Sequence, residues 1–297
     1  MSSIYVFPGQ GSQSVGMGYD LYQNNADARA VFEEMDNALG EKLSNIIFNG
    51  PIETLTLTAN VQPAILATSV AMFRASKLPL PDYVAGHSLG EYTALCIAGA
   101  LSLSDAIKLV RLRGESMQNA VPAGQGAMAV VLGMEYDDLK SVCEKAEQET
   151  GLICDIANDN CPGQIVISGA NDAVEKAIEI AKENGARRAM KLPLSVPPHS
   201  RLMLPVVDIM KKALDEIEIK EPIVPIISNK TCKPMTDVNE IKEALLYQIT
   251  HGVRWRESVL NMVDMGIDDL TEIGPGNALI GMVNRTTDKI NAHKLEI

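Results

Sequence analysis

The sequence has 297 residues, 46% hydrophobic and 22% charged, an ordinary globular composition that excludes a disordered chain, a collagen-like repeat and a disulfide-stapled miniprotein. Lys plus Arg total 26 against 38 Asp plus Glu, a net charge of −12, and aromatic residues make up only 4%, so the chain is expected to bind no nucleic acid. Its five cysteines include no C-x-x-C pair and its four histidines no H-x-x-x-H pair, which fits a reducing compartment and predicts no metal site.

In chain order, Ser3 to Phe7 is an apolar, β-prone run ending at Pro8-Gly9-Gln10-Gly11, which predicts a buried strand feeding a tight turn, with a helix to follow. No basic region precedes this apolar stretch, so no export signal is read and the cytoplasm is the expected compartment. The longest uncharged run, Thr54 to Phe73, holds Asn60, Gln62, Pro63 and several threonines, and no membrane span is expected from it. Pro63 is read as part of a first helical turn ahead of a helix over Ala64 to Ala75. Tyr83 to Ala85 then reads as a strand, closed by Gly86 and followed by a helix over Glu91 to Ala98. Further strands are expected at Ile223 to Ser228 and Leu270 to Ile273, with helices at Ile241 to Ile249, Trp255 to Met265 and Ala278 to Asn284. This alternation indicates an α/β fold with a parallel sheet.

Residues 126–194 differ from their surroundings. Strands at Met128 to Leu132, Ile153 to Ala157, Ile165 to Ser168 and Ala189 to Leu194, with helices at Asp137 to Glu149 and Ala173 to Asn184, give the order βαββαβ of a ferredoxin-like unit. The expected organisation is therefore a larger subdomain formed by residues 1–125 and 195–297, with 126–194 inserted as a smaller one.

The sharpest chemical signal is Gly86-His87-Ser88-Leu89-Gly90, a G-x-S-x-G between a strand and a helix, where a strained turn would expose the Ser88 hydroxyl at a helix N-terminus. The pattern alone arises by chance in roughly one chain of this length in ten, so its context matters. A serine nucleophile needs a base, commonly histidine. Of the four candidates, His87 adjoins the serine, His251 marks a helix end where it can meet the last carbonyls, and His293 lies in the final five residues, where fraying is common. His199, on the proline-stiffened segment Leu194-Ser195-Val196-Pro197-Pro198-His199, remains. No Asp stands out to orient it, so a backbone or amide carbonyl would have to.

Arg113 shares the helical stripe of Ala106, Leu109, Val110 and Met117, whereas Lys108, Arg111 and Glu115 face the opposite way. A guanidinium on a buried stripe calls for a partner: an internal Asp or Glu, water reached by snorkelling, or a substrate carboxylate. Gly9-Gln10-Gly11 begins like a dinucleotide fingerprint, but Ser14 stands where the third glycine is required. The other reading of that loop gives the Gln10 N–H, with the N–H of Leu89, the task of an oxyanion hole.

These residues resemble the malonyl-CoA:acyl carrier protein transacylases, the acyltransferases of fatty acid and polyketide synthesis. The likeness runs through Phe7-Pro8-Gly9-Gln10-Gly11-Ser12-Gln13, Gln62-Pro63-Ala64, Gly86-His87-Ser88-Leu89-Gly90-Glu91-Tyr92, Arg113-Gly114, Met117-Gln118, Ala157-Asn158, Pro162-Gly163-Gln164, Ser195-Val196-Pro197 with His199, and Glu272-Ile273-Gly274-Pro275-Gly276. The resemblance implies an α/β-hydrolase-like larger subdomain with a ferredoxin-like insert. It implies ping-pong transfer of malonyl from coenzyme A to Ser88 and on to the phosphopantetheine thiol of an acyl carrier protein, for fatty acid synthesis. His199 would be acid and base, Gln248 would orient it through its main-chain carbonyl, and Arg113 would hold the malonyl carboxylate. Gln10 and Leu89 would form the oxyanion hole, and Asn158 and Asn160 would line the cleft. No permanently bound cofactor is implied, coenzyme A being a substrate, and a monomer is expected.

Pro198 departs from the pattern, standing before the histidine where many relatives have serine or phenylalanine, near the acyl side chain. Arg187, Arg188, Lys191, Arg201, Lys211, Lys212, Arg254 and Arg256 are candidates for a basic surface that steers an acidic carrier despite the net charge. The competing readings are a serine hydrolase built on the same elbow and a noncatalytic nucleotide- or carrier-binding module.

Overall fold

The first strand, β1 (Ser2–Phe7), sends alternate side chains to opposite faces, and both faces are covered. Tyr5 and Phe7 join a core with Val61 and Ile65 of the helix Thr58–Ser76 and Leu109 and Val110 of the helix Leu103–Ala120. Ile4 and Val6 pack on the other side with Trp255, Val259, Leu279 and Val283. The structure is a computed structural model that describes residues 2–194 and 196–297. Ser195, named above in one motif and at one subdomain boundary, lies outside the described residues.

The remaining strands are β2 (Tyr83–Gly86), β3 (Gly126–Leu132), β4 (Cys154–Cys161), β5 (Gln164–Ala170), β6 (Arg188–Lys191), β7 (Ile226–Ile227), β8 (Pro234–Met235), β9 (Ile267–Glu272) and β10 (Asn291–Lys294). They form a six-stranded sheet in the order β10-β9-β1-β2-β7-β8 and a four-stranded sheet in the order β4-β5-β3-β6. Every pairing in the first is parallel except β7 with β8, and every pairing in the second is antiparallel. The α/β class and the βαββαβ order are as the sequence indicated.

One face of the four-stranded sheet packs on the helices Tyr136–Thr150 and Asn171–Glu183 through Leu139, Val142, Ala173 and Ala177. Its other face carries Met128, Val130 and Val166, against which Leu192 and Leu194 of the segment after β6 pack, and these residues line a cleft on the side of the larger sheet. The two parts are joined where Asp159 N–H donates to Val253 O at 2.9 Å and Val253 N–H to Ala157 O at 2.9 Å. Register shifts in β4 between Ile156 and Asn158 and between Asp159 and Cys161 bracket Asn158 and Asn160, and such bulges re-aim side chains beside a site.

Three expectations change. Pro63 lies inside the helix Thr58–Ser76 rather than in its first turn; so near the start it forgoes one ladder bond, to Ala59, and the helix begins five residues before it. The strand expected at Ile223 to Ser228 shrinks to Ile226–Ile227, because Pro225 has no N–H to donate and Ile223 is 73% exposed. His293 does not fray: it sits in β10, which pairs with β9, and Nε2 lies 3.0 Å from Thr271 Oγ1.

Candidate active site

The chain leaves β2 at Gly86 and enters the helix Gly90–Ile97 through a turn in which Ser88 has φ 54°. The flanking glycines are dictated by close approach: a Cβ on Gly86 would lie 1.8 Å from the Gly90 carbonyl carbon, and one on Gly90 would lie 2.0 Å from Phe7 O. A left-handed serine is strained, and its neighbours over-determine it. Its N–H donates to Asn229 Oδ1 at 3.0 Å, while Asn229 Nδ2 donates to Gly86 O at 2.7 Å. The hydroxyl thereby stands at the N-terminal, electropositive end of the helix.

Ser88 Oγ lies 2.7 Å from His199 Nε2. On the far side of the ring, Nδ1 is 2.6 Å from the main-chain carbonyl of Gln248, to which it can only donate. The tautomer is thus set, and Nε2 presents its lone pair to the hydroxyl. His199 itself has φ 61° and is 3% exposed. Burial, with the nearby Arg113 charge adding to it, lowers its pKa to about 3, so the ring is a neutral base across ordinary pH.

Arg113 is 2% exposed, and its head reaches the same hydroxyl. Nη2 donates to Ser88 Oγ at 3.3 Å and to Gln248 Oε1 at 2.8 Å, and Nη1 donates to Gln62 Oε1 at 2.9 Å. Tyr92 places its ring 5.7 Å from the guanidinium carbon. Among the described residues no carboxylate forms an ion pair with Arg113 and its Nε has no partner, so the internal salt bridge considered from sequence is not made. The buried Glu91 carboxyl meets it through Gln248, whose Nε2 donates to Glu91 Oε2 at 2.5 Å and whose Oε1 accepts from Arg113. A cation held by neutral oxygens can accept an incoming carboxylate.

Gln10, Leu89, Asn158, Asn160 and Pro198 line the same cavity as Ser88, His199 and Arg113, which has a volume of about 400 Å³. The N–H groups of Gln10 and Leu89 donate to no acceptor among the described residues. Asn160 Oδ1 is 2.9 Å from His87 Nε2, and the His87 ring sits edge-on to Trp255. Burial lowers the His87 pKa, so this ring too is neutral. His251 closes its helix, with Nδ1 3.0 Å from Tyr247 O. A second cavity, about 470 Å³, touches His199 from behind beside Tyr247, His251 and Arg254, but contains neither Ser88 nor Arg113. No cluster of His, Cys, Asp or Glu able to hold a metal occurs among the described residues. No helix there is long and apolar enough to cross a membrane.

Sequence reasoning missed Glu91 and Asn229. Glu91 had a usable signal, as the only charged residue of the helix Gly90–Ile97. Asn229 acts on a backbone far away in sequence and had none.

Residues 4–297 match the acyl transferase domain family. A malonyl CoA-acyl carrier protein transacylase of Bacillus subtilis is 50% identical over 294 residues, covering 98% of this chain and 92% of the relative. The crystal structure of an acyl-carrier-protein-S-malonyltransferase from Bartonella henselae superposes with a TM-score of 0.96 at 47% identity, covering 99% of this chain and 95% of that one. A malonyl-transacylase solved in complex with a type II polyketide synthase acyl-carrier protein gives a TM-score of 0.96 at 40% identity, covering 99% and 96%.

Proposed function

The chain belongs to the acyl transferase domain family, and from that we propose that it moves malonyl from coenzyme A to an acyl carrier protein through an ester on Ser88. The observation that carries this reading is a single hydroxyl within 2.7 Å of a neutral imidazole and 3.3 Å of a buried guanidinium. In malonyl the free carboxylate is two bonds from the reacting carbonyl. A cation that can touch the nucleophile is therefore at the right range for a short diacid.

In the first half, Ser88 Oγ attacks the thioester carbon as His199 Nε2 takes the hydroxyl proton. The carbonyl oxygen gains charge and is met by the N–H groups of Gln10 and Leu89, and a donor of this kind typically contributes about 2.7–4 kcal/mol. The C–S bond breaks, the coenzyme A thiolate takes the proton from His199, and malonyl remains on Ser88. In the second half His199 takes the proton of the carrier's phosphopantetheine thiol, the sulfur attacks the ester, and the proton returns to Ser88 Oγ. Gln248 keeps the imidazole tautomer throughout. Arg113 holds the malonyl carboxylate in both halves, and the apolar wall of Met128, Val130, Leu192 and Leu194 shields the ester from water. Asn158, Asn160 and Pro198 line the same cavity, and Pro198, beside the base, would bear on the choice between malonyl and its branched analogues. The product supplies fatty acid synthesis, and the enzyme works as a cytoplasmic monomer without a resident cofactor.

Intact-mass measurement after mixing with malonyl-CoA tests the reading. The wild type should gain one malonyl unit and lose it to added holo-carrier, and Ser88→Ala should gain nothing. Release of free malonate at the same rate without acceptor would identify a hydrolase instead, and no adduct at all would leave a binding module.

A further inference from the structure

We propose that Glu91 is a positioning residue that sets the orientation of the Gln248 side chain, and through it couples the carboxylate-binding arginine to the nucleophile turn. This rests on the Ser88 reading above. Glu91 is fully buried and lies one turn beyond the serine. Its two oxygens are divided between the two supports of the site. Oε1 accepts the Asn229 N–H at 2.9 Å, and Asn229 is the residue that ties down Ser88 N–H and Gly86 O. Oε2 accepts Gln248 Nε2 at 2.5 Å, and Gln248 presents Oε1 to Arg113 and its main-chain oxygen to His199.

Chemistry leaves the Gln248 amide one orientation. A carboxylate only accepts and a guanidinium only donates, so the NH2 must face Glu91 and the oxygen must face Arg113. If the carboxyl becomes neutral it can offer a donor in place of an acceptor, which removes its hold on the amide and leaves only the 3.3 Å bond from Gln248 Nε2 to Ser88 O and the Arg113 contact to keep the orientation. The turned amide would set its NH2 against the Arg113 guanidinium, donor against donor. Glu91→Gln therefore keeps the volume and loses the function: its single oxygen can serve Asn229 or Gln248 but not both.

The groups facing Glu91 are Arg113 from the helix Leu103–Ala120, Gln248 from the helix Val238–Thr250, Asn229 and Cys232 from the segment after β7, and Tyr92 on its own helix. Burial raises the Glu91 pKa to about 7, against the pull of the Asn229 and Gln248 hydrogen bonds and the Arg113 charge. His199, with its pKa of about 3, titrates well below this range. An acid limb of acylation near pH 7 would then report Glu91.

The test is rapid-quench acylation of wild type and Glu91→Gln by malonyl-CoA and acetyl-CoA across pH, with melting temperature recorded. Glu91→Gln should acylate with malonyl about 10²-fold more slowly, the scale for reacting groups displaced by about 1 Å. It should also lose the acid limb and narrow the preference for malonyl over acetyl. On a Gln248→Ala background the same substitution should have a smaller effect than on wild type, because the two residues act in one chain. If Glu91→Gln does not fold, Glu91→Asp decides: it keeps both acceptor oxygens one methylene short and should be slowed while retaining the acid limb. Wild-type rates and pH profile in the folded variant, or full additivity with Gln248→Ala, overturn the proposal and leave the Ser88 reading standing. Absence of the adduct on wild type itself would overturn both.

Discussion

The main-chain carbonyl of Gln248 lies 2.6 Å from Nδ1 of His199, in the place where a catalytic triad would put a carboxylate. The side chain of the same residue turns to Arg113 at 2.8 Å. One residue thus fixes both the imidazole tautomer and the guanidinium, using different atoms. Asp237 caps the helix Val238–Thr250 that carries it, accepting the N–H groups of Asn239 and Glu240 at 2.8 and 3.0 Å. A backbone acceptor adds no charge beside the imidazole, which agrees with a ring held neutral by burial.

Arg113→Ala should change which acyl group is accepted more than whether acylation occurs. The guanidinium meets neutral amides and a hydroxyl, so an acetyl group leaves it buried without a counter-ion, whereas malonyl supplies one. Breaking a buried ion pair costs about 3–5 kcal/mol, so the malonyl-over-acetyl ratio of kcat/KM should fall by roughly 10²- to 10⁴-fold. Lysine should not restore it, since one ammonium cannot hold the Gln62 and Gln248 oxygens and a carboxylate in the same planar fork. An unchanged ratio in Arg113→Ala would remove the arginine from substrate recognition.

Two buried groups should tilt stability in opposite directions with pH. His199 has its folded pKa depressed to about 3 from 6.5; the unfolded chain binds the proton first, so this contribution is present above pH 6.5 and is lost as pH falls toward 3. Glu91 has its folded pKa raised from 4.5 to about 7, so its contribution is present below pH 4.5 and is lost as pH rises through about 7. Each can contribute a slope of up to about 1.4 kcal/mol per pH unit, and the two windows overlap with opposite sign. Between pH 4.5 and 6.5 the two slopes oppose and nearly cancel in the wild type, so denaturant unfolding across pH 3–8 should show His199→Ala losing the rise in stability below pH 4.5 and exposing a fall between pH 4.5 and 7, and Glu91→Gln exposing a continued rise between pH 4.5 and 6.5. Unchanged slopes in both variants would mean that neither group titrates as its burial implies.

What could be read from sequence was what is local. The apolar run of β1, the glycines about Ser88 and the misplaced charge of Arg113 each show within a few residues of chain. The role of Gln248 rests on a main-chain carbonyl, which every residue has, so no residue type could have revealed it without the family resemblance. Glu91 contradicts its apolar helix as Arg113 contradicts its own, and the same periodicity argument would have found it. The cations named as steering candidates are a tertiary matter. Lys191 meets Glu175, Arg201 meets Asp155 and Glu147, Lys211 meets Asp215, Arg254 meets Glu257, and Arg256 meets Asp159 and Glu135.

That pairing narrows where a carrier can be steered. Arg187 and Arg188, exposed at the start of β6 on the edge of the smaller sheet, and Lys212 form no ion pair among the described residues. A cation already neutralised adds little to the field felt by an approaching acidic partner, whereas an unpaired one adds its full charge. Reversing both Arg187 and Arg188 to Glu should slow transfer to an acyl carrier protein by about tenfold at low salt and flatten its salt dependence. Transfer to free pantetheine, which carries the same thiol without the charge, should be unaffected. Reversing Arg254 should act less on the carrier, because its immediate loss is the contact with Glu257. Equal effects on carrier and pantetheine would place Arg187 and Arg188 outside the docking surface.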